Sequence, residues 1–360
     1  MADPALLNRI HELSDLELAA LICFIAREHC IIDTDPDSIY ELLQELELVA
    51  ANVFGLSHAV VDCSEHITID DFANAILSPE GSPARSSSPV RTRQDSYFLH
   101  TPAFRSISRS PLSEGFGDNN GIANVIIAKN LDQAPRQVQI QALELMRTKR
   151  IYTRTSVRNA PKQFLFIALL SGGRGPKLTK HLNDHMFISH FHGPEDGFPN
   201  LEDMYDDGSS ISSVVKKTPT PESESQALPK ISAADIDQLA QLSDLTTVSV
   251  EVKQYQQNIV SFLRLHRAVA GGISAVATNH LDKLARCLAP LHGLGYTTPS
   301  LITLAARKIY QHRIAVVSPE NERSMQWGSD IDAVEVLLKG VCSDDIIEDV
   351  LNRSSIEVLL

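Results

Sequence analysis

The chain has 360 residues, enough for one large domain or two modest ones. Its 32 Lys and Arg against 45 Asp and Glu give a net charge of −13, which argues against a dedicated nucleic-acid binder, because a phosphate backbone requires clustered cations. Hydrophobic residues make up 43%, enough for a core, and no apolar run reaches the roughly 18 residues of a membrane span.

The first residues, MADPALLNRIHELSDLE, show no basic patch followed by an apolar stretch. The cysteines (Cys23, Cys30, Cys63, Cys287, Cys342) are scattered, odd in number and free of CxxC pairs. A reduced, intracellular protein is expected, in the cytoplasm first, with the nucleus left open. Residues 15–27 read as a helix with Ser14 as N-cap. HCIID at 29–33 is a short apolar run. Residues 37–53 form an amphipathic helix with Leu42, Leu43, Leu46 and Val49 on one face, ended by Gly55. Residues 59–62 read as a buried strand and 68–77 as a helix. NVIIA at 124–128 and FLFIALL at 164–170 are uniformly apolar strands, with a strong helix at 137–148 between them. Such alternation implies a parallel sheet covered on both faces. Later, 249–269, 278–291, 299–311 and 331–351 read as helices, so the second part is all-helical.

Two stretches break this pattern. Residues 78–120 are rich in Ser, Pro, Arg and Gly and read as a disordered insertion, and 206–230 read as a disordered linker. They hold candidate phosphosites at Ser88, Ser96, Ser108, Ser110, Thr218 and Thr220, next to Pro or downstream of Arg, although plain linker chemistry is the simpler reading. SYFLHTPAF at 96–104 is a candidate docking peptide or an incidental apolar patch.

NVIIAKNLDQAPRQVQIQALELM at 124–146 resembles the Walker B strand, turn and helix of AAA+ ATPases of the magnesium chelatase and MoxR type. FLFIALLS at 164–171 is similar to their sensor 1 strand, and LTKHLNDHMF at 178–187 to their arginine-finger segment. Residues 248–314, from VSVEVKQYQQ to QHRI, resemble the helical lid, and LELAALICFIAREHCIIDTDPDSIYELLQELELVA, the segment around the P-loop. The resemblance implies an AAA+-like α/β core (1–77 and 121–205), a helical lid (231–316) and a C-terminal helical extension (317–360). It also implies assembly into rings with nucleotide at the subunit interface.

The chemistry of that family needs parts this chain lacks. A P-loop offers backbone N–H groups and a lysine to phosphates. Here the slot reads DTDPD, with no glycine, and the first lysine of the chain is Lys129. A later Gly-rich loop, SGGRGPK at 171–177, follows the sensor 1 strand, the wrong place for a P-loop. The Asp-Glu that ends the Walker B strand corresponds to Lys129 and Asn130, and a lysine opposes Mg2+. Lys129 reads as a structural cation near the DTDPD aspartates or, less simply, as a replacement phosphate ligand. Sensor 1 corresponds to Ser171, the arginine finger to His185 and the sensor 2 arginine to Val276. A histidine cannot guarantee the charge of an arginine near neutral pH.

HLNDHMFISHFHGPED holds His181, His185, His190 and His192, and the first two, four apart, share a helix face that suits zinc. HExxH is absent, and loop or cap roles suffice, so no metal is expected. No GxSxG elbow or GxGxxG turn is present. The expectation is a non-catalytic scaffold or regulatory subunit, without cofactor, acting on protein partners in a homo- or hetero-oligomeric ring. The alternative is an ATP- and Mg2+-dependent chelatase or remodelling subunit with an unusual or partner-completed site. A phosphate or metal sensor built on Lys129 or the histidines is a third reading.

Overall fold

A computed structural model describes residues 3–79, 120–153, 157–172, 177–209 and 229–352. Most of the 78–120 insertion and 206–230 linker, with Ser88, Ser96, Ser108, Ser110, Thr218, Thr220 and the 96–104 peptide, lie outside the described residues. Helices α1 (Pro4–His11) and α2 (Asp15–Ala26) lead into β1 (Cys30–Thr34) and α3 (Ile39–Leu48). The chain continues through β2 (His58–Asp62), α4 (Ile69–Ala75), β3 (Val125–Lys129), α5 (Arg136–Thr148), β4 (Leu165–Ser171), α6 (Lys180–His185), β5 (Ile188–His192) and α7 (Pro199–Ser209). The five strands pair in parallel in the order β2-β3-β4-β1-β5.

Alternation along the strands builds two layers. Ile32, Val125, Ile127, Leu165, Ile167 and Leu169 pack with α2 and α3. Ile31, Ile126, Ala128, Phe166, Ala168 and Leu170 face the other way, onto α4, α5 and α6. Helix α2 is apolar on all sides because it is covered on all sides. The sheet lies against one flank, and the lid helices α8 (Ala233–Leu245) and α10 (Ala275–Leu291) lie against the other. Its start is fixed by a capping box between Ser14 and Glu17. Glu17 also accepts from Asn200 Nδ2 at 3.1 Å, while Glu45 accepts the Asn200 and Leu201 N–H groups at 3.1 and 2.9 Å and so holds the first turn of α7.

The helical part continues with α9 (Val250–Leu265), α11 (Pro299–Tyr310), α12 (Ile331–Leu338) and α13 (Ser343–Leu351). Three sequence expectations change here. Helix α8 stands where the sequence reading places no helix, although Ser232 and Asp235 form its capping box. The helix expected over 249–269 stops at Leu265, because His266 turns extended and Val269–Gly271 pairs with Ala315–Val316. The helix expected over 331–351 is two helices, divided at Gly340, whose φ of +78° ends α12. Among the described residues no helix is long and apolar enough to cross a membrane.

Lid and core meet at His312 and Arg313. Arg313 is 3% exposed and donates to the carbonyls of Asp184 (3.1 Å), Phe187 (3.4 Å), Ile309 (2.6 Å) and Met186. His312 Nε2 lies 3.2 Å from the Met186 carbonyl, and Asn183 Nδ2 donates to the His312 carbonyl at 2.8 Å. The turn from α6 to β5 is thus bonded to the end of α11. Arg313→Ala leaves these carbonyls unpaired and is expected to cost about 3–5 kcal/mol in a urea titration, with little recovery in Arg313→Lys, which lacks the planar fork.

Burial also sets the protonation of nearby histidines. It lowers His280 to about 3 and His190 to about 4, aided by the charges of Arg313 and Lys308 respectively, and it holds His29 and His312 well below their usual value of 6.5. In the unfolded chain these groups take up protons near pH 6.5, whereas in the folded chain they do so only near pH 4 or below. Their contribution is therefore complete above about pH 6.5 and lost as pH falls toward the folded values. Denaturant midpoints are expected to drop between about pH 6.5 and 4, each histidine adding up to about 1.4 kcal/mol per pH unit.

Candidate functional site

In an open α/β sheet, ligands bind beyond the carboxyl ends of the strands, where neighbouring connections depart in opposite directions. Here that point lies between β1 and β4: β1 leads to β2 at the far edge, and β4 leads across β1 to β5. The DTDPD slot, Lys129 and Ser171 all reach this end. Thr34 is in register with Ser171 and with His192, and Lys129 with Asp62 and Leu169.

Described side chains beside the slot pair with one another. Thr34 Oγ1 donates to the His192 carbonyl at 2.8 Å. Asp33 receives Lys177 Nζ at 2.8 Å on both carboxylate oxygens. Burial raises the Asp33 pKa, and Lys177 pulls against that rise. Pro36, which has no N–H to offer, begins a short 3-10 turn ahead of α3 and faces Gly172. The cavity beside Asp33 and Lys177 is about 30 Å³, room for about one water, whereas small-molecule sites occupy roughly 300–1,000 Å³.

Lys129 is 4% exposed. The expectation that it serves the DTDPD aspartates is corrected. Its Nζ lies 3.5 Å from Asp62 Oδ2 and 3.9 Å from the centre of the Tyr40 ring. The reason is register: Asp62 stands opposite Lys129 on β2, and the odd positions of β3 face α3, which carries Tyr40. Among the described residues, the cation that pairs with Asp33 is Lys177, from the loop after β4. Asn130 takes a left-handed φ of +55° and donates its N–H to the Leu169 carbonyl at 2.8 Å.

The remaining slots lie elsewhere. His185 sits at the amino ends of the strands, its ring 6.3 Å from that of His29, and burial lowers its pKa. Val276 lies in the first turn of α10, partly exposed. Ser274, the N-cap of that helix, donates to Asp184 Oδ1 at 2.6 Å. His181 is exposed on α6, and His192 turns instead to the Gly197 carbonyl, 3.0 Å from its Nε2. Among the described residues no group of three or more His, Cys, Asp or Glu is placed to hold a metal ion.

Removing Lys177 strands a half-buried carboxylate. Lys177→Ala is expected to cost about 1–3 kcal/mol, and adding Asp33→Asn to restore most of it, in a double-mutant cycle read by urea denaturation.

Residues 261–334 match the model of the AAA lid domain family. No curated protein matches the sequence. Among solved structures, the chain is similar to a candidate ATPase from Cytophaga hutchinsonii, at 14% identity and a TM-score of 0.62, over 96% of this chain and 92% of that one. The chain has an AAA+-like fold, a parallel α/β core followed by a helical lid.

Proposed function

We propose that this chain is a magnesium chelatase-like AAA+ protein that acts as a non-catalytic scaffold or regulatory subunit through protein contacts. The observation that carries this reading is the charge at the carboxyl end of the sheet. Asp33, Asp35 and Asp37 stand in the segment after β1 that corresponds to the phosphate-binding loop, the last two exposed, and buried Lys129 stands at the position of the Mg2+-binding carboxylates. With Asp33 offset by Lys177, the carboxylates of Asp35 and Asp37 repel an anion, and a lysine repels a divalent cation. These residues do not fit Mg-ATP. Ser171, His185 and Val276 add no replacement for the sensor and arginine-finger groups.

In this reading residues 1–77 and 121–205 form the core, 231–316 the lid and 317–360 an extension. The partners are further AAA+ subunits in a homo- or hetero-oligomeric ring. A second reading, an ATP- and Mg2+-dependent subunit with an unusual site, is favoured by one feature, the placement of Lys177 beside the slot.

Thermal melting of the full chain with and without millimolar Mg-ATP separates the two. Ligand at 100 times its dissociation constant stabilises by about 2.7 kcal/mol, several degrees for a domain of this size. The scaffold reading expects no shift that depends on the slot. A shift that disappears in Lys177→Ala or Lys129→Ala would overturn it.

A further inference from the structure

A second cavity lies away from the strand ends, between α6 and the lid. Its volume is about 740 Å³, within the roughly 300–1,000 Å³ of small-molecule sites. Lys180, Arg264, Arg313 and Arg323 line it against a single carboxylate, Asp184. This concentration of cations stands in a chain of net charge −13.

The arginines are oriented chiefly by neutral acceptors, Arg313 having in addition a long ion pair with Asp184. Arg264 Nε donates to the Ile273 carbonyl at 3.2 Å, and Arg323 donates to the Arg264 carbonyl at 2.9 Å. Arg313 is more than nine-tenths buried, and its Nε has no hydrogen-bond acceptor, the nearest carboxylate oxygen, of Asp184, being 3.7 Å away. The lid side is the Gly271–Gly272 pair, at the end of the short strand Val269–Gly271 and leading to Ser274, the N-cap of the 17-residue α10. Gly272 has a φ of +105°, and a Cβ there would stand 2.0 Å from the Arg313 carbonyl oxygen, so only glycine permits this approach. A glycine pair just ahead of a long helix, faced by guanidinium and ammonium groups, suits an anion.

We propose that this cavity binds a small phosphorylated ligand, held by Lys180, Arg264, Arg313 and Arg323 beside Gly271 and Gly272. None of these residues lines the cavity at Asp33 and Lys177, so the proposal stands or falls apart from the scaffold reading.

The test is calorimetric titration of the full chain with inorganic pyrophosphate, without Mg2+, at low ionic strength. Saturable binding is expected, weakened about tenfold or more by Lys180→Glu and by Arg264→Ala and unchanged by Lys177→Ala. Both altered side chains are exposed, and melting without ligand checks that each variant folds. No heat beyond that of potassium chloride at matched ionic strength would overturn the proposal. So would binding that survives Lys180→Glu and Arg264→Ala in folded protein, or binding lost only in Lys177→Ala, which would place the anion at the β1 end.

Discussion

The buried guanidinium of Arg313 joins the two halves of this protein. It donates to main-chain carbonyls on α11 and on the turn from α6 to β5, and so ties the end of the lid to the edge of the sheet. A buried charge is tolerated only when its hydrogen bonds are met. The lid cannot move away from the turn without exposing or stranding that charge. Burial lowers the Arg313 pKa to about 10, which leaves it charged at neutral pH. The same residue presses against Gly272 and lines the cavity beside α6.

At the carboxyl ends of the strands the frame and the charges diverge. The order of the strands, the turn after β1 and the helix after it place a slot where a nucleotide would sit in such a fold. Described side chains beside it pair with one another. Lys177 neutralises Asp33, Lys129 is drawn beneath Tyr40 and toward Asp62, and the cavity left beside Asp33 is small. The apolar layers on both faces of the sheet need none of the hydrolytic groups. A sequence can therefore keep the fold while its charges change.

Much of the sheet is legible in the sequence because uniformly apolar runs such as NVIIA and FLFIALL can be buried on both faces in only a few ways. The absence of a lysine before Lys129 is equally plain. The edge strand β5 is hidden in a histidine-rich run, where polar composition masks a buried backbone. Helix α8 escapes notice because it directly follows the stretch that reads as linker. The Lys177–Asp33 pair joins residues 144 apart in sequence, and no local pattern shows such a contact. The cationic cavity draws on α6, α9 and the segments around Arg313 and Arg323, which only the folded chain brings together.

The most direct test of the account is hydrogen–deuterium exchange of the full chain with and without Mg-ATP, read at residues 30–39 and 125–131. These segments carry the slot after β1 and the end of β3. The account predicts unchanged exchange in both. Slowed exchange in both segments, produced by Mg-ATP, would contradict it, because it would mean that nucleotide occupies a site these charges oppose.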